Sequence, residues 1–521
     1  MSYIEPKTQD EASNIVIDTL KKDKQVIVFV NTKKGAEAAA ERITSYAKKE
    51  LKNSYPELAD EILKALGSPT RQCRRLASMI KSGVAFHHSG LSGKQRAIVE
   101  DNFREKKLKV ICATPTLAAG IDLPAYRVVL RDMKRYTGRG MSYIPVLEFE
   151  QMSGRAGRPS YDKEGQAILI AKNEAEREEL WYKYIEGEPE DILSKLAVEP
   201  VLRTYVLSLI ATGFVGSVKE LEDFMSRTFY AKQYGDLNSL NNIVEGIVRK
   251  LEEWEFVITS QEQEDFVSAN EMEEGFKVKA TKLGERVSEL YLDPLTANEL
   301  LEGMRKATNI TSSYGILHLI TSTLEMQPLI KARQKDYPFL EEKLVVEEDN
   351  FIADVPSEFS EEYDDFLHEL KTAYILEEWM QESTEEYLYE EYNVAPGELN
   401  GKLDRADWLL YSCYELAGLQ GFRELRKDLY KLRLRLKDGI KEELLKLVKI
   451  RGIGRVRARK LFNNRIRDVK ALKEVDITSL AQILGKNTAV NVKSQVGQEY
   501  DKDKVSVKKN KRKGQVNLGD F

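Results

Sequence analysis

Leu108-Lys109-Val110-Ile111-Cys112 runs straight into Ala113-Thr114-Pro115-Thr116. A short, β-branched run of this kind reads as a strand buried on both faces of a parallel sheet. Pro115 stops it, and two hydroxyls stand just past its end. Three more such runs flank it: Val26-Ile-Val-Phe-Val30, Arg127-Val-Val-Leu130 and Gln166-Ala-Ile-Leu-Ile170. The first leads through Asn31-Thr32 into an Ala-rich helical stretch from Lys33 to about Lys49. Strands alternating with helices predict a parallel α/β sheet whose ligand groups sit at the strand ends, here over residues 1–187.

Beyond that domain the pattern turns helical. Leu193–Leu209 and Leu240–Trp254 read as helices, and a hairpin-like region reaches Phe276-Lys-Val-Lys279, which together suit a winged helix over 188–294. Residues 295–437 are almost wholly helical, with a periodic helix Asp404–Leu419 that carries Trp408. A small module over 438–500 contains Leu447-Val-Lys-Ile-Arg451-Gly452-Ile-Gly454-Arg455-Val-Arg457-Ala-Arg459-Lys460. Residues 501–521 are Lys-rich, lack core-forming residues and read as a flexible tail.

Several domains are required in any case, because 521 residues exceed what one hydrophobic core supports. No apolar run reaches bilayer length and Met1–Glu5 carries no signal-peptide pattern, so a cytoplasmic location is expected, in association with the nucleoid. Cys73, Cys112 and Cys413 are too far apart to suggest a disulfide framework or a zinc site, and no metal site is expected. The net charge of -5 hides a polarity. Residues 421–521 carry 28 Lys/Arg against 12 Asp/Glu and the preceding 420 carry 52 against 73, so the carboxyl end is the electrostatic candidate for nucleic acid. The acidic excess between Glu341 and Asn400 reads as a solvated helical surface.

The chemistry is concentrated in Gln151-Met-Ser-Gly154-Arg155-Ala-Gly157-Arg158. An arginine presented across a cleft stabilises charge on a γ-phosphate, and its planar fork suits phosphate oxygens. The other half of such a cleft is missing from the sequence. No G-x-x-x-x-G-K-[ST] loop occurs, Gly93-Lys94-Gln95 and Gly485-Lys486-Asn487 do not fit it, and Asp10-Glu11-Ala12-Ser13 does not follow an apolar strand. Upstream of the arginines, Ala113–Ala125 places Thr114 and Thr116 beyond a strand, then Gly120 and Asp122. Earlier still, Gly83-Val-Ala-Phe-His87-His88-Ser89-Gly90-Leu91 holds a histidine pair that lacks a third metal ligand.

In this order and spacing, Phe29-Val-Asn-Thr32, His87–Leu91, Ala113–Ala125 and Gln151–Pro159 resemble the second RecA-like domain of superfamily 2 DNA helicases. The match is to the archaeal Holliday-junction-migration (Hjm) family, related to the eukaryotic helicase of polymerase theta, and it extends through nearly the whole chain. It implies a multidomain α/β plus α fold: a RecA-like domain, a winged helix, a helical ratchet domain and a helix-hairpin-helix. It also implies roles for particular residues. Arg155 and Arg158 contact the γ-phosphate with Arg158 as the finger, Gln151 orients the attacking water, and Gly120 with Asp122 senses nucleotide. Thr32, His88, Thr114 and Thr116 touch the DNA backbone, which carries no base information and suits a motor.

A duplex-splitting β-hairpin is implied between Arg131 and Glu150, where Gly138 and Gly140 permit the turn, Tyr136, Met141 and Tyr143 stack on or wedge against the last base pair, and Arg139 also binds DNA. Trp408 falls where the family stacks an aromatic on the translocating strand, with Lys402 and Arg405 as the nearby cations; packing into a core is the competing use of that indole. Gly452 and Gly454, ringed by Arg451, Arg455 and Arg457, resemble a helix-hairpin-helix that brings backbone N–H groups up to a phosphate. Gln515, Leu518 and Phe521 resemble a sliding-clamp (PCNA) binding box.

The expectation is therefore the carboxyl-terminal half, as subunit or fragment, of an ATP-dependent 3′ to 5′ DNA helicase for stalled forks and branched DNA. ATP and Mg²⁺ would be held mainly by a separate first RecA-like domain, without which the chain is inactive. The alternatives are a DNA-binding scaffold that recruits the clamp, and an RNA helicase relative.

Overall fold

The computed structural model describes residues 4–501, apart from 52, 119, 138–139, 158–163, 197, 261–275, 308–311 and 353–354. Nine strands follow one another along the described chain: β1 (Val26–Phe29), β2 (Val84–His87), β3 (Val110–Ala113), β4 (Arg127–Leu130), β5 (Lys134–Tyr136), β6 (Met141–Tyr143), β7 (Gln166–Leu169), β8 (Val257–Thr259) and β9 (Val278–Ala280). Five form one sheet in the order β2-β3-β1-β4-β7, every pair parallel, with Val26 opposite both Val110 and Arg127. β1 to β4 are buried along their whole length. Each fully buried aliphatic or aromatic side chain there contributes about 1.5–3 kcal/mol.

Two details of this sheet depart from the sequence reading. β2 lies inside the histidine motif, where the sequence pattern predicts no strand. β3 begins at Val110 rather than Leu108, because the Leu108 carbonyl is turned onto the Gln25 amide at 2.7 Å. A charged residue starts β4, and its burial is compensated. Arg127 donates to Asp18 at 2.9 Å, to the Thr19 hydroxyl at 2.7 Å, and through Nε and Nη2 to Gln166 at 3.0 and 2.7 Å.

Contacts divide the chain into two units. The first comprises residues 1–193 together with 384–401, so a segment distant in sequence belongs to the same body as the parallel sheet. The second comprises 194–383 and 402–521. Its larger core gathers the helices Glu199–Ala211, Leu237–Glu253, Ser313–Thr321 and Tyr363–Met380, with β8 and β9 paired antiparallel. A smaller core, from Ile440 to Val496, joins the helices Arg455–Asn463, Ile477–Leu484 and Lys486–Gln495. The helix expected over Asp404–Leu419 starts earlier, at Pro396, and Gly397 and Gly401 do not break it. Among the described residues, no helix is long and apolar enough to cross a membrane.

Candidate nucleotide and nucleic-acid site

β3 ends at Ala113, and Thr114 opens a single 3-10 turn, Pro115–Leu117. The loop beyond is joined to the arginine motif by backbone bonds. The Ala125 amide donates to the Arg155 carbonyl at 2.9 Å, and the Gly157 amide donates to the Ala125 carbonyl at 2.7 Å. Arg155 completes the joint, since its Nε donates to the Ala118 carbonyl at 3.1 Å, its Nη2 reaches the same carbonyl, and its Nη1 stands 4.0 Å from Asp122. Two glycines make this approach possible. Gly157 has φ +93°, and a Cβ on Gly165 would fall 2.4 Å from the Gly157 nitrogen.

The structure thus brings together Gly120, Asp122 and Arg155 from segments that are separate in sequence. Gly120 has φ +76° and a Cβ there would meet no described atom within 4 Å, the Asp122 side chain is 95% exposed, and Gln151 is exposed on the helix Val146–Ser153. The Arg155 side chain is 22% exposed, so its guanidinium is held at the rim of this open stretch of backbone. Among the described residues, no three His, Cys, Asp or Glu side chains are grouped to bind a metal ion. Arg158 lies outside the described residues.

β5 and β6 form the hairpin read from the sequence, with Tyr136 opposite Met141 and Lys134 opposite Tyr143. Its aromatics have different surroundings. Tyr136 and Met141 are 71% and 66% exposed. Tyr143 is tied to the body: its hydroxyl donates to Glu179 at 2.5 Å and Lys134 Nζ stands 4.1 Å over its ring. Burial and the Glu179 carboxylate hold the Tyr143 phenol above its ordinary pKa. Gly138 and Arg139 lie outside the described residues.

Of the residues expected on the DNA backbone, Thr32 is exposed and its hydroxyl caps the helix Lys33–Tyr46 by accepting from Gly35 at 2.9 Å. Thr114 is buried and its hydroxyl pairs with that of Thr116 at 3.0 Å. His88 requires a correction. It has no exposed surface, stacks on Phe86 at 5.3 Å, accepts from the Gly90 amide through Nδ1 at 3.1 Å, and places Nε2 3.3 Å from Glu37. A direct contact with DNA is therefore unavailable to it in this arrangement. His87 instead bonds Glu100 at 2.8 Å, so the two rings serve different carboxylates rather than one ion. Burial holds His87 below the ordinary histidine range, and Glu100 offsets that only in part.

In the second unit Trp408 is half-buried against the larger core, and its indole N–H donates to the Leu290 carbonyl at 3.0 Å. Both cations near it are turned inward. Lys402 is buried and donates to the Met326 carbonyl at 2.7 Å, and Arg405 reaches the carbonyls of Met326 and Gln327. In the carboxyl-terminal module Gly452 has φ +90°, and no described atom would meet a Cβ at Gly452 or Gly454 within 4 Å. Arg451, Arg457 and Lys460 are exposed around that turn. Arg455 instead lies 4.6 Å over the Trp379 ring and donates to the Ser383 carbonyl at 2.5 Å, and Arg459 pairs with Glu382 and Glu443. The tail with Gln515, Leu518 and Phe521 lies outside the described residues.

Sequence reasoning passes over Glu37. It sits in an Ala-rich helix where a glutamate reads as solvent-facing, yet it is 3% exposed and receives Gln72 at 2.7 Å, Arg75 and the His88 edge. Burial pushes its carboxyl up, but His88, Gln72 and Arg75 outweigh burial and hold it below its ordinary value. No local signal marks such a residue, because its partners come from other elements.

The strand-end loop and the arginine-bearing turn bonded to it fall within residues 63–160, which match the family described as helicase conserved C-terminal domain, so this part of the chain is a helicase-type domain. Residues 314–439 match the family described as archaeal helicase, domain 4. Three relatives, each named ATP-dependent DNA helicase Hel308, align along most of the chain. That of Methanocella arvoryzae is 39% identical over 94% of this chain and 65% of its own length. That of Pyrococcus horikoshii is 37% identical over 90% and 63%, and that of Methanococcus vannielii 35% over 96% and 69%. The chain belongs to the Hel308 family of archaeal helicases. It spans about two thirds of the length of these curated relatives.

Proposed function

We propose that this chain provides the second RecA-like domain and the DNA-handling domains of an ATP-dependent 3′ to 5′ DNA helicase that acts on stalled forks and branched DNA in repair and recombination. The observation that carries the reading is the joint between Ala118–Ala125 and Arg155–Gly157, which fixes a guanidinium beside Asp122 and open backbone at Gly120. Such a preorganised arginine can stabilise charge in phosphoryl transfer without reorganising at the moment of reaction. The phosphate loop and the Mg²⁺ ligands come from polypeptide outside this sequence, since no G-x-x-x-x-G-K-[ST] run is present.

In this reading Arg158 is the finger, Gln151 orients water, and Tyr136 and Met141 at the exposed hairpin wedge against the last base pair. Residues 188–294 act as a winged helix, 295–437 as the ratchet domain with Trp408, and 438–500 as a helix-hairpin-helix gripping phosphates through Gly452, Gly454 and exposed Arg451 and Arg457. The tail is a clamp-binding segment. The test is to combine the chain with its phosphate-loop half and measure DNA-stimulated ATP hydrolysis and unwinding of a forked duplex. Arg155→Ala and Arg158→Ala should each lower ATP turnover by about 10³-fold or more. Parental turnover in both variants, or ATP hydrolysis by this chain alone, would sink the proposal.

A further inference from the structure

Only Ile144 and Pro145 separate β6, which ends at Tyr143, from the helix Val146–Ser153, and that helix passes through Gly154 into Arg155. Pro145, at the N-cap position, makes no side-chain bond to the first turn. Glu190 takes over that task from outside the segment. Its two carboxylate oxygens accept from the Val146 amide at 2.7 Å and the Leu147 amide at 3.1 Å, and those amides hold the Glu190 carboxyl below its ordinary pKa. The Tyr184 hydroxyl donates to the Ile144 carbonyl at 2.7 Å, and its ring lies 5.0 Å from that of Phe149.

The hairpin also rests on this helix. Arg135, in the middle of β5, holds Nη1 3.0 and 2.7 Å from the two carboxylate oxygens of Glu148. At the hairpin's base the Ile144 amide donates to the Met133 carbonyl at 2.9 Å, and the Asn31 side chain donates to the Lys134 carbonyl. Glu148 lies one helical turn before Gln151, a spacing that puts both on one face of the helix. At the far end the Gly154 amide donates to the Glu150 carbonyl at 2.7 Å and the Arg155 amide to the Met152 carbonyl at 3.1 Å. All these groups belong to the first unit. The Arg135 side chain is 44% exposed, so the pair adds little to stability; what distinguishes it is its place between the hairpin and the arginine motif.

We propose that Glu148 is a positioning residue through which the hairpin sets the placement of the arginine motif. Held by Arg135, the helix Val146–Ser153 follows the hairpin, so a duplex end pressed on Tyr136 and Met141 is felt at Gln151 and Arg155. The hairpin thereby reports a fork to the phosphoryl-transfer site, and ATP turnover is faster on a fork than on a bare single strand. This rests on the helicase reading above.

In the enzyme assembled with its phosphate-loop half, kcat for ATP would be measured on a forked duplex and on its single strand, and the ratio taken. Arg135→Ala and Glu148→Ala should each lower that ratio about threefold, the scale of an exposed pair, while kcat on the single strand stays at the parental value. The double variant should lose no more than either single one, because both remove one interaction. Glu174 pairs with Arg177 at 2.6 Å on the helix Glu174–Tyr184, and Glu174→Ala is the matched control that keeps the parental ratio. A parental ratio in both single variants, losses that multiply in the double variant, or an equal loss in Glu174→Ala overturns the proposal. Should Glu148→Ala not fold, Glu148→Gln keeps the side-chain shape without the charge and is expected to lower the ratio alike; a parental ratio there overturns it too. A parent that turns over no faster on the fork than on the single strand overturns it while the helicase reading stands. Should the parent assembly hydrolyse no ATP on either DNA, the helicase reading falls by itself. Amide exchange of this chain alone then decides the brace: Arg135→Ala should speed exchange at Gly154 and Arg155, and unchanged rates overturn it.

Discussion

Glycines crowd both the His88–Leu91 turn and the Arg451–Arg455 turn, and they do opposite things there. At the first, a Cβ on Gly397 would strike two carbonyls at 2.3 Å; at the second, a Cβ on Gly452 or Gly454 would strike nothing described. A glycine hemmed in by its own protein reports internal packing. A glycine at φ +90° facing open space, ringed by exposed Arg451, Arg457 and Lys460, reports a backbone kept clear for something outside. The same contrast divides the arginines, because Arg459 is tied to Glu382 and Glu443 whereas Arg457 donates locally, to the Gly452 carbonyl at 2.8 Å, from an exposed position.

The crowded class breaks first if this comparison is wrong. Gly165→Ala, whose methyl would fall 2.4 Å from the Gly157 nitrogen, should cost about 1–3 kcal/mol of stability in denaturant unfolding of the first unit. An unchanged midpoint would show that the Ala125–Gly157 joint yields easily.

Acid sharpens the picture at the buried histidine. Burial lowers the His87 pKa, so the unfolded chain takes up a proton near pH 6.5 while the folded chain does not, and stability falls as pH drops below about 6.5 until the depressed folded value is passed. Each unit of lowering is worth about 1.4 kcal/mol. His87→Gln should flatten that slope in melts between pH 7 and 5. Glu37 adds its own loss at lower pH: its depressed carboxyl contributes stability above about 4.5, and that contribution disappears as acid titrates it in the fold.

The open class should respond in binding and not in folding. Gly454→Ala is expected to move stability by less than about 0.5 kcal/mol. It should nonetheless weaken DNA binding severalfold at low salt, and an unaltered affinity would make Gly454 a mere spacer. The smallest effect belongs to Lys460→Ala, which should reduce the slope of log affinity against log salt by about 1 with no preference among sequences.

Much of the sheet is legible because buried parallel strands are nearly continuous β-branched runs, as in Val26–Phe29 and Arg127–Leu130. Val84–His87 is harder to read, since alanine, phenylalanine and histidine carry little of that signature and a histidine pair points first to chemistry. Gly397 and Gly401 look like helix breakers, at about 1 kcal/mol each. The Gly397 amide is bonded to the Gly90 carbonyl, and such a non-local contact leaves no trace in a local pattern. The motif loops are legible as motifs, but their bonding through Ala125, Arg155 and Ala118 is not. Trp408 and Arg405 illustrate the reverse: a periodic helix shows that an indole is present, while only packing shows that its N–H is committed to Leu290.

The first unit is discontinuous along the chain, since residues 384–401 complete it from far downstream. A single cut between residues 193 and 194 therefore cannot release it whole. Residues 1–193 alone would leave Gly90 uncovered and Arg74 without Glu386, and the remainder would carry a helix whose opening turn had lost its support. Unfolding of the first unit therefore includes residues 384–401 as well as 1–193, so a segment nearly two hundred residues downstream belongs to the same cooperative body.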